Sequence, residues 1–120
     1  MSRRSCFALD LVEDSALIEE YRRMHEPGAV WPGVIDHIKA LGVEAMEIWQ
    51  RGERLFMIVE TADDFPRRVH AESLVEENLR WERLMDRFHL RLKDAASGEK
   101  WSPLERIFLL SEHAGMRKQT

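Results

Sequence analysis

The chain has 120 residues, 44% of them hydrophobic and 33% charged, and its formal net charge is -4. These values predict one domain over residues 1–120 and exclude the basic surface that nucleic-acid binding requires. No run in the sequence approaches the roughly 18 apolar residues of a membrane span. Cys6 is the single cysteine, which excludes an internal disulfide, and the absence of a secretory pattern at the start predicts a cytoplasmic location.

A strand and an amphipathic helix are predicted at the start of the chain. Large apolar side chains alternate with small or polar ones over residues 5–12, which is the period of a half-buried strand. Asp14 or Ser15 is then suited to accept hydrogen bonds from the first free N–H groups of a helix. That helix carries Leu17 and Tyr21 on one apolar face.

The helical pattern then breaks and resumes as a second piece. Pro27 and Gly28 do not continue a helix comfortably, so we expect the first piece to end near them. Pro32 fits the first position of a helix, where its missing N–H is not needed, and an apolar stripe follows as far as Gly42. The two pieces are expected to form one interrupted helical unit.

The middle of the chain is predicted to form a hairpin. Residues 43–49 and 55–60 have strand character, and residues 50–53, Gln-Arg-Gly-Glu, are typical of the connection between two antiparallel strands. Because the second of these strands is almost wholly apolar, we expect it at the centre of a sheet.

The last third of the chain is predicted to contain one long helix and a closing strand. Residues 73–76 have the form of a capping box, and the apolar stripe that follows predicts a helix as far as Leu92. A turn over residues 95–98 and a strand over residues 103–110 complete the domain. A polar tail over residues 111–120 is expected to fray.

This order of strand, helix, strand, strand, helix and strand predicts an α+β domain of ferredoxin-like type, βαββαβ, with two helices on one face of an antiparallel sheet. Since the strands carry large apolar residues on both faces, such as Leu55 beside Phe56, we expect the other face to pair sheet to sheet in a homodimer. The architecture alone does not identify an activity, because many unrelated activities occur on this fold.

Tyr21 and His25 form the pair of residues most suggestive of chemistry. Four positions apart on a helix, their side chains project from one face in adjacent turns, so a phenol donor and a titratable base can share one small polar ligand. His25 also lies just before the break at Pro27, where the helix dipole favours its protonated form. On spacing alone, the commoner arrangement is structural, with Tyr21 in the core and His25 a helix-terminal cation.

Several short sequence stretches between about residue 5 and residue 110 point to a function more specifically than the fold does, because they occur together and in a fixed order. These stretches are Phe-Ala-Leu-Asp at 7–10, Glu-Tyr-Arg-Arg-Met-His at 20–25, Trp31-Pro32, Leu-Phe-Met-Ile-Val-Glu at 55–60, Arg80-Trp81 followed by Leu84-Met85, and Glu-Arg-Ile-Phe at 105–108. Together they resemble the L-rhamnose mutarotase family. The resemblance implies a dimeric α+β barrel and an enzyme that interconverts the α and β anomers of a 6-deoxy-hexose, without a cofactor or metal.

Residue by residue, the resemblance implies that Tyr21 binds the substrate, that His25 is the acid/base residue and that Trp81 is the first of a binding Trp-Trp pair. Met46 stands where the family has a second binding tyrosine, and Glu82 stands where it has the second tryptophan. These two departures imply a differently placed sugar hydroxyl, so L-fucose is slightly preferred over L-rhamnose as the substrate. Glu82 is then expected to bind hydroxyls or to assist proton transfer.

Two other classes of function remain open at this stage. A cofactor-independent monooxygenase of the dimeric α+β barrel type would surround an aromatic substrate with few polar groups. A non-enzymatic small-ligand-binding domain would lose only affinity if His25 were replaced. Trp49 and Trp101 either line the pocket or fill a dimer core. The other histidines are scattered without the spacing of a metal site: His37, His70, His89 and His113.

Overall fold

A computed structural model gives the fold and describes residues 2–113. Within this range the strands are β1 (Arg3–Leu11), β2 (Val43–Arg51), β3 (Arg54–Thr61), β4 (His89–Leu90) and β5 (Ser102–Pro103). The helices are α1 (Ser15–Met24), α2 (Pro32–Leu41) and α3 (Glu72–Met85), with a 3₁₀ helix at Leu110–His113. None of these helices has the length and apolar character needed to cross a membrane. Most of the predicted polar tail, residues 114–120, lies outside the described residues.

The strands form an antiparallel sheet in the order β2-β3-β1-β4, and β5 also pairs with β1. β1 pairs with β3 over almost its whole length, from Arg3 opposite Thr61 to Asp10 opposite Arg54. The α+β class is therefore confirmed, and the order agrees with the ferredoxin-like arrangement. β3 occupies the central position expected of the most apolar strand.

Local sequence signals set the bounds of the first two helices. Oδ1 of Asp14 accepts hydrogen bonds from the backbone N–H groups of Ala16 and Leu17 at 3.0 and 3.2 Å, which confirms Asp14 as the N-cap of α1. Pro32 is the first residue of α2, as predicted. α2 ends before Gly42, whose φ of 102° lies in the left-handed region that favours glycine.

α3 differs from the prediction at both ends. The capping box at residues 73–76 is wrong, because the helix begins at Glu72 and no side chain caps it. The helix ends at Met85 rather than near Leu92, since the chain turns there and leads into β4. Phe88 is only 1% exposed, so the turn keeps it in the core. An apolar residue at helical spacing is buried equally well by a tight turn, which is why the periodicity overestimated the helix.

The closing strand is much shorter than predicted. A strand over residues 103–110 is wrong, because β5 covers only Ser102–Pro103 and residues 104–109 form no strand before the 3₁₀ helix. β4 pairs with β1 on the same edge, at Asp10 and Leu11, so two short strands share the place of one long strand. The apolar residues that suggested a strand are instead exposed, Ile107 by 93%.

The helices cover one face of the sheet. Leu9 of β1 lies opposite Leu55 of β3 on the covered face, and both are buried. The main core cluster forms there, between sheet and helices: Leu11, Tyr21, Val34, Leu55, Trp81, Met85 and Phe88. The opposite face, here called the helix-free face, is defined by the cross-strand register of five residues: Cys6, Ala8, Trp49, Phe56 and Ile58.

A hydrogen bond between helices closes the N-terminus of α2. The Gly33 N–H donates to Oε2 of Glu77 in α3 at 2.9 Å, while Trp31, at the N-cap position, supplies no side-chain cap. Glu77 therefore places a carboxylate at the positive end of the α2 dipole. Glycine at position 33 allows this approach, because a Cβ atom there would overlap the Glu77 carboxyl group and displace it.

We expect Glu77→Ala to lower the free energy of unfolding by about 1–2 kcal/mol, which is the usual cost of losing a helix cap. Urea denaturation measures this difference. Glu76→Ala is the matched control, because Glu76 is an exposed carboxylate on the neighbouring position of the same helix, and its effect should stay within about 0.5 kcal/mol. Equal effects of the two substitutions would contradict the capping role.

Candidate active site

The C-terminal end of α1 brings Tyr21 and His25 together, as their spacing predicts. The two ring centroids are 4.2 Å apart, and His25 is the C-cap residue at which α1 ends. Tyr21 is 4% exposed and His25 is half-buried. Both line a cavity of about 340 Å³, which falls within the size range of small-molecule sites. The rest of the lining is Arg22, Ile48, Trp49, Gln50 and Leu55.

One hydrogen bond fixes the orientation of the His25 ring. Nδ1 of His25 lies 2.7 Å from the carbonyl oxygen of Tyr21. A carbonyl oxygen only accepts, so Nδ1 carries a proton and donates it to this bond. In the neutral imidazole, Nε2 is then the basic nitrogen with a free lone pair.

Burial decides the protonation state of His25. Burial lowers the pKa of His25 below its ordinary value, and the hydrogen bond to the Tyr21 carbonyl raises the pKa in part. The sequence-based expectation that the helix dipole favours the protonated form is therefore outweighed by burial. At neutral pH His25 is a neutral imidazole, held in place with its basic nitrogen available.

Trp81 of α3 packs against the His25 ring. Their ring centroids are 5.6 Å apart in an edge-on arrangement, and Trp31 lies edge-on to Trp81 at 5.1 Å. Trp81 is 5% exposed and belongs to the main core cluster. Trp81 is thus both a core residue and a packing partner of the His25 ring.

The negative charge of Glu82 is paired with the positive charge of Lys100, a residue that the sequence analysis did not identify. Nζ of Lys100 lies 3.1 Å from Oε2 of Glu82 and 2.9 Å from Oδ1 of Asp86. Burial raises the pKa of Tyr21, and the negative charge of Glu82 raises it further. Tyr21 therefore keeps its hydroxyl proton at neutral pH and remains a hydrogen-bond donor.

His89 is a site residue that sequence reasoning missed. It lies in β4, and its Nε2 is 3.5 Å from the Tyr21 hydroxyl oxygen. Trp101 lies edge-on to His89 with ring centroids 6.1 Å apart, so Trp101 borders the same cluster. Tyr21 and His89 are 68 positions apart, and no local spacing signals such a contact. The sequence analysis also placed His89 within a helix predicted to reach Leu92, whereas it lies in β4.

Met46 is not brought into this cluster. It lies on β2 opposite Val59 and is 40% exposed. It lines a separate cavity of about 370 Å³, together with Ile38 and Met57. Ile48, two positions further along the same face of β2, lies in the cavity of Tyr21 and His25 instead.

In residues 2–113, no group of three or more His, Cys, Asp or Glu side chains is placed to hold a metal ion.

The environment of His89 predicts a pH-dependent stability. The pKa of His89 is lowered from 6.5 to about 4, chiefly by burial and also by the positive charge of Lys100, while Asp86 acts in the opposite direction. Because the native state disfavours protonated His89, its contribution is complete above pH 6.5 and is lost as the pH falls toward 4. We expect wild type to lose on the order of 2 kcal/mol through this group, after allowance for partial solvent screening.

Urea denaturation at pH 7 and pH 4.5 measures this loss. His89→Gln removes the titrating group, so the variant should lose less stability than wild type between these two pH values. His70→Gln is the matched control, because His70 is exposed, and it should retain the wild-type pH dependence. An unchanged pH dependence in His89→Gln would contradict the prediction.

Comparisons with known proteins identify the family of the chain. A family model described as L-rhamnose mutarotase matches residues 4–110. The chain belongs to the L-rhamnose mutarotase family. It is 38% identical over 118 residues to an L-fucose mutarotase of Xanthomonas campestris, covering 97% of this chain and 94% of that protein. It is also 34% identical to a UPF0734 protein of Dictyostelium discoideum, over 84% of each protein.

The fold of this family is also found in a solved structure. The crystal structure of an L-rhamnose mutarotase from Formosa agariphila superposes with a TM-score of 0.64, covering 89% of this chain and 97% of that one. Sequence identity to it is 20%, so this similarity shows the fold alone. The family resemblance inferred from the motifs is confirmed, and the enzyme class follows from it: the protein is a sugar mutarotase, an isomerase that acts on carbohydrates. The family assignment takes precedence over the monooxygenase and binding-domain alternatives.

Proposed function

We propose that this mutarotase acts on 6-deoxy-L-hexoses, with L-fucose slightly preferred over L-rhamnose, and that His25 is its acid/base residue. The observation that carries the proposal is the hydrogen bond from Nδ1 of His25 to the Tyr21 carbonyl oxygen, in a residue that lines the cavity. This bond leaves Nε2 to take up and return a proton. A neutral imidazole is suited to both tasks near neutral pH.

The reaction needs one proton to move between two oxygens of the sugar. Nε2 of His25 takes the proton of the anomeric hydroxyl as the bond between the anomeric carbon and the ring oxygen breaks, and the ring oxygen then receives a proton. The free aldehyde rotates, and the ring closes on its other face by the reverse steps. Because His25 can deliver the proton that it accepted, no proton is gained or lost over the cycle.

The neighbouring side chains supply the contacts that hold the sugar. Tyr21 keeps its proton, so its hydroxyl can donate to the ring oxygen as negative charge develops there. Trp81 offers its indole ring to the apolar C–H face of the sugar and its 6-methyl group. Glu82, held by Lys100, accepts from a sugar hydroxyl. Met46 lines a separate cavity, so no contact with the sugar is assigned to it.

The preference for L-fucose rests on two observations. The Xanthomonas campestris relative, 38% identical, is an L-fucose mutarotase. The family resemblance also implies that Glu82 and Met46 stand where the L-rhamnose pattern has aromatic residues. L-Fucose and L-rhamnose differ only in the configuration of ring hydroxyls, so the presence or absence of single hydrogen bonds decides between them.

Exchange NMR of the anomeric protons tests the activity directly. L-Fucose and L-rhamnose are compared side by side, with and without the protein, in buffer without added cofactor or metal. We expect faster exchange of both sugars, with the larger acceleration for L-fucose. A larger acceleration for L-rhamnose would contradict the preference, and acceleration of neither sugar would contradict the proposed substrate class.

We also propose that the chain forms a homodimer through the helix-free face. Trp49 on that face is 60% exposed. Beyond β5, three further large apolar side chains are exposed: Ile107 by 93%, Phe108 by 62% and Leu110 by 74%. Phe108 also borders a cavity shared with Cys6 and Ile58, two residues of the helix-free face. An apolar surface of this extent is typical of a face that pairs with a second copy.

Light scattering coupled to size-exclusion chromatography tests the dimer. Wild type should elute at twice the monomer mass of 14.1 kDa, and Phe108→Asp should shift the mass toward the monomer because it places a charge in the interface. Leu79→Asp is the control, since Leu79 is 50% exposed on α3, away from the helix-free face. A monomeric wild type, or an unaltered dimer in Phe108→Asp, would contradict this mode of pairing.

A further inference from the structure

We propose that His89 is a positioning residue for this reaction, and that its Nε2–H donates to the Tyr21 hydroxyl oxygen so that the Tyr21 proton is directed to the sugar. This inference rests on the proposed function, in which Tyr21 donates to the ring oxygen. It assigns a role to a histidine on β4 that lies outside the motif around Tyr21 and His25.

The first support is the unequal environment of the two His89 nitrogens. Nε2 faces the Tyr21 hydroxyl oxygen at 3.5 Å, at the outer limit for a hydrogen bond. Nδ1 is buried without a hydrogen-bond partner among the described residues. An unpaired buried N–H group is rarer in proteins than an under-satisfied acceptor. The tautomer with its proton on Nε2 is therefore favoured, and in it Nε2 is the donor.

The direction of this bond determines where the Tyr21 proton points. If the Tyr21 oxygen accepts from His89, the hydroxyl hydrogen lies on the other side of that oxygen. Glu82 is the nearby carboxylate that raises the pKa of Tyr21, but among the described residues the Tyr21 hydroxyl is hydrogen-bonded to His89 and not to Glu82. The hydroxyl hydrogen is thus left for a sugar oxygen. Catalytic hydrogen bonds are often long without substrate and shorten when it binds.

The second support is the packing that holds the phenol ring between the two histidines. The ring centroids of Tyr21 and His25 are 4.2 Å apart, and those of Tyr21 and His89 are 5.5 Å apart with the planes at 65°. Phe88 also lies edge-on to the phenol, at 5.6 Å. Burial and the nearby Lys100 keep His89 neutral at assay pH, so a single tautomer can persist there.

The tautomer can be read directly by long-range ¹⁵N–¹H NMR of the histidine rings in the wild-type protein at pH 7. We expect His89 to carry its proton on Nε2 and His25 to carry its proton on Nδ1. A His89 ring protonated on Nδ1 would overturn the inference. This measurement is made without sugar, so it tests the hydrogen bond independently of the activity.

Substitutions test the consequence for the reaction. The side-chain nitrogen of Gln reaches about the place of Nε2 and that of Asn about the place of Nδ1, so His89→Gln should keep kcat within about 3-fold, whereas His89→Asn and His89→Leu should lower it about 10-fold or more with a smaller effect on KM. In a Tyr21→Phe background, His89→Leu should cause no further loss of kcat. His70→Gln is the control.

The outcomes separate this inference from the proposed function. Full kcat in His89→Asn or His89→Leu, or a loss in His89→Gln as large as in His89→Asn, would overturn the positioning role. A further loss in the Tyr21→Phe background would show that His89 does not act through Tyr21. If His89→Leu fails to fold, the Gln and Asn pair and the tautomer still decide. A wild-type protein that accelerates neither sugar would overturn the proposed function instead.

Discussion

His25→Ala is expected to slow anomer exchange by about 10²- to 10⁴-fold, because a positioned acid/base group contributes a factor of this size. The hydrogen bond from Nδ1 to the Tyr21 carbonyl is lost together with the basic Nε2. Exchange NMR at saturating L-fucose measures the rate. The fold should remain intact, because His25 is the C-cap residue just after α1 and is only half-buried. Far-UV circular dichroism checks this.

Two further variants separate proton transfer from loss of the ring. His25→Gln retains a polar side chain of similar length that can bond the Tyr21 carbonyl but has no basic nitrogen, so its rate should fall nearly as far as that of His25→Ala. His70→Ala removes an exposed histidine and should leave the rate unchanged. A His25→Ala protein that folds normally and keeps its full rate would show that another group transfers the proton.

Features with short-range causes were predicted well from the sequence. The Asp14 cap of α1 and the start of α2 at Pro32 depend on a few adjacent residues, and the structure confirms both. The pairing of Tyr21 with His25 depends only on the helical spacing of four residues, and it too is found. These features could be inferred because local geometry fixes them before any tertiary contact forms.

Features decided by distant contacts were predicted poorly. The helix that should have reached Leu92 ends at Met85, because burial of Phe88 is achieved by a turn and not by another helical turn. The apolar run after β5 looks like a core strand, yet Ile107 is 93% exposed in the single chain. An apolar pattern indicates that a residue is buried in the functional protein, but it does not distinguish burial within its own chain from burial against a second copy.

The same division applies to the candidate site. Tyr21, His25 and Trp81 were found from motif and spacing. Lys100 and His89 come from the region after α3, which reaches the site only through tertiary structure. No local spacing links Lys100 to Glu82 or His89 to Tyr21, so these two contacts could be found only from the three-dimensional structure.

Trp81→Ala is expected to lower the free energy of unfolding by about 3–5 kcal/mol, which is typical of removing a large buried aromatic side chain. Trp81 is 5% exposed and contacts both Trp31 and His25 edge-on, so its loss leaves a cavity beside His25. Urea denaturation measures the change. Leu79→Ala is the control on the same helix, because Leu79 is 50% exposed, and it should cost less than about 1 kcal/mol.

Trp81→Phe separates the packing of Trp81 from its contact with the sugar. Phenylalanine fills most of the space, so the variant should keep more stability than Trp81→Ala while losing the wider indole ring proposed to contact the sugar. If Trp81 contacts the sugar, KM for L-fucose should rise by about 10-fold in Trp81→Phe, equivalent to about 1.4 kcal/mol of binding. If Trp81 serves only in the core, KM should follow wild type as long as the protein is folded. A wild-type KM in a stable Trp81→Phe protein would therefore remove Trp81 from the binding site and leave it as the support of His25.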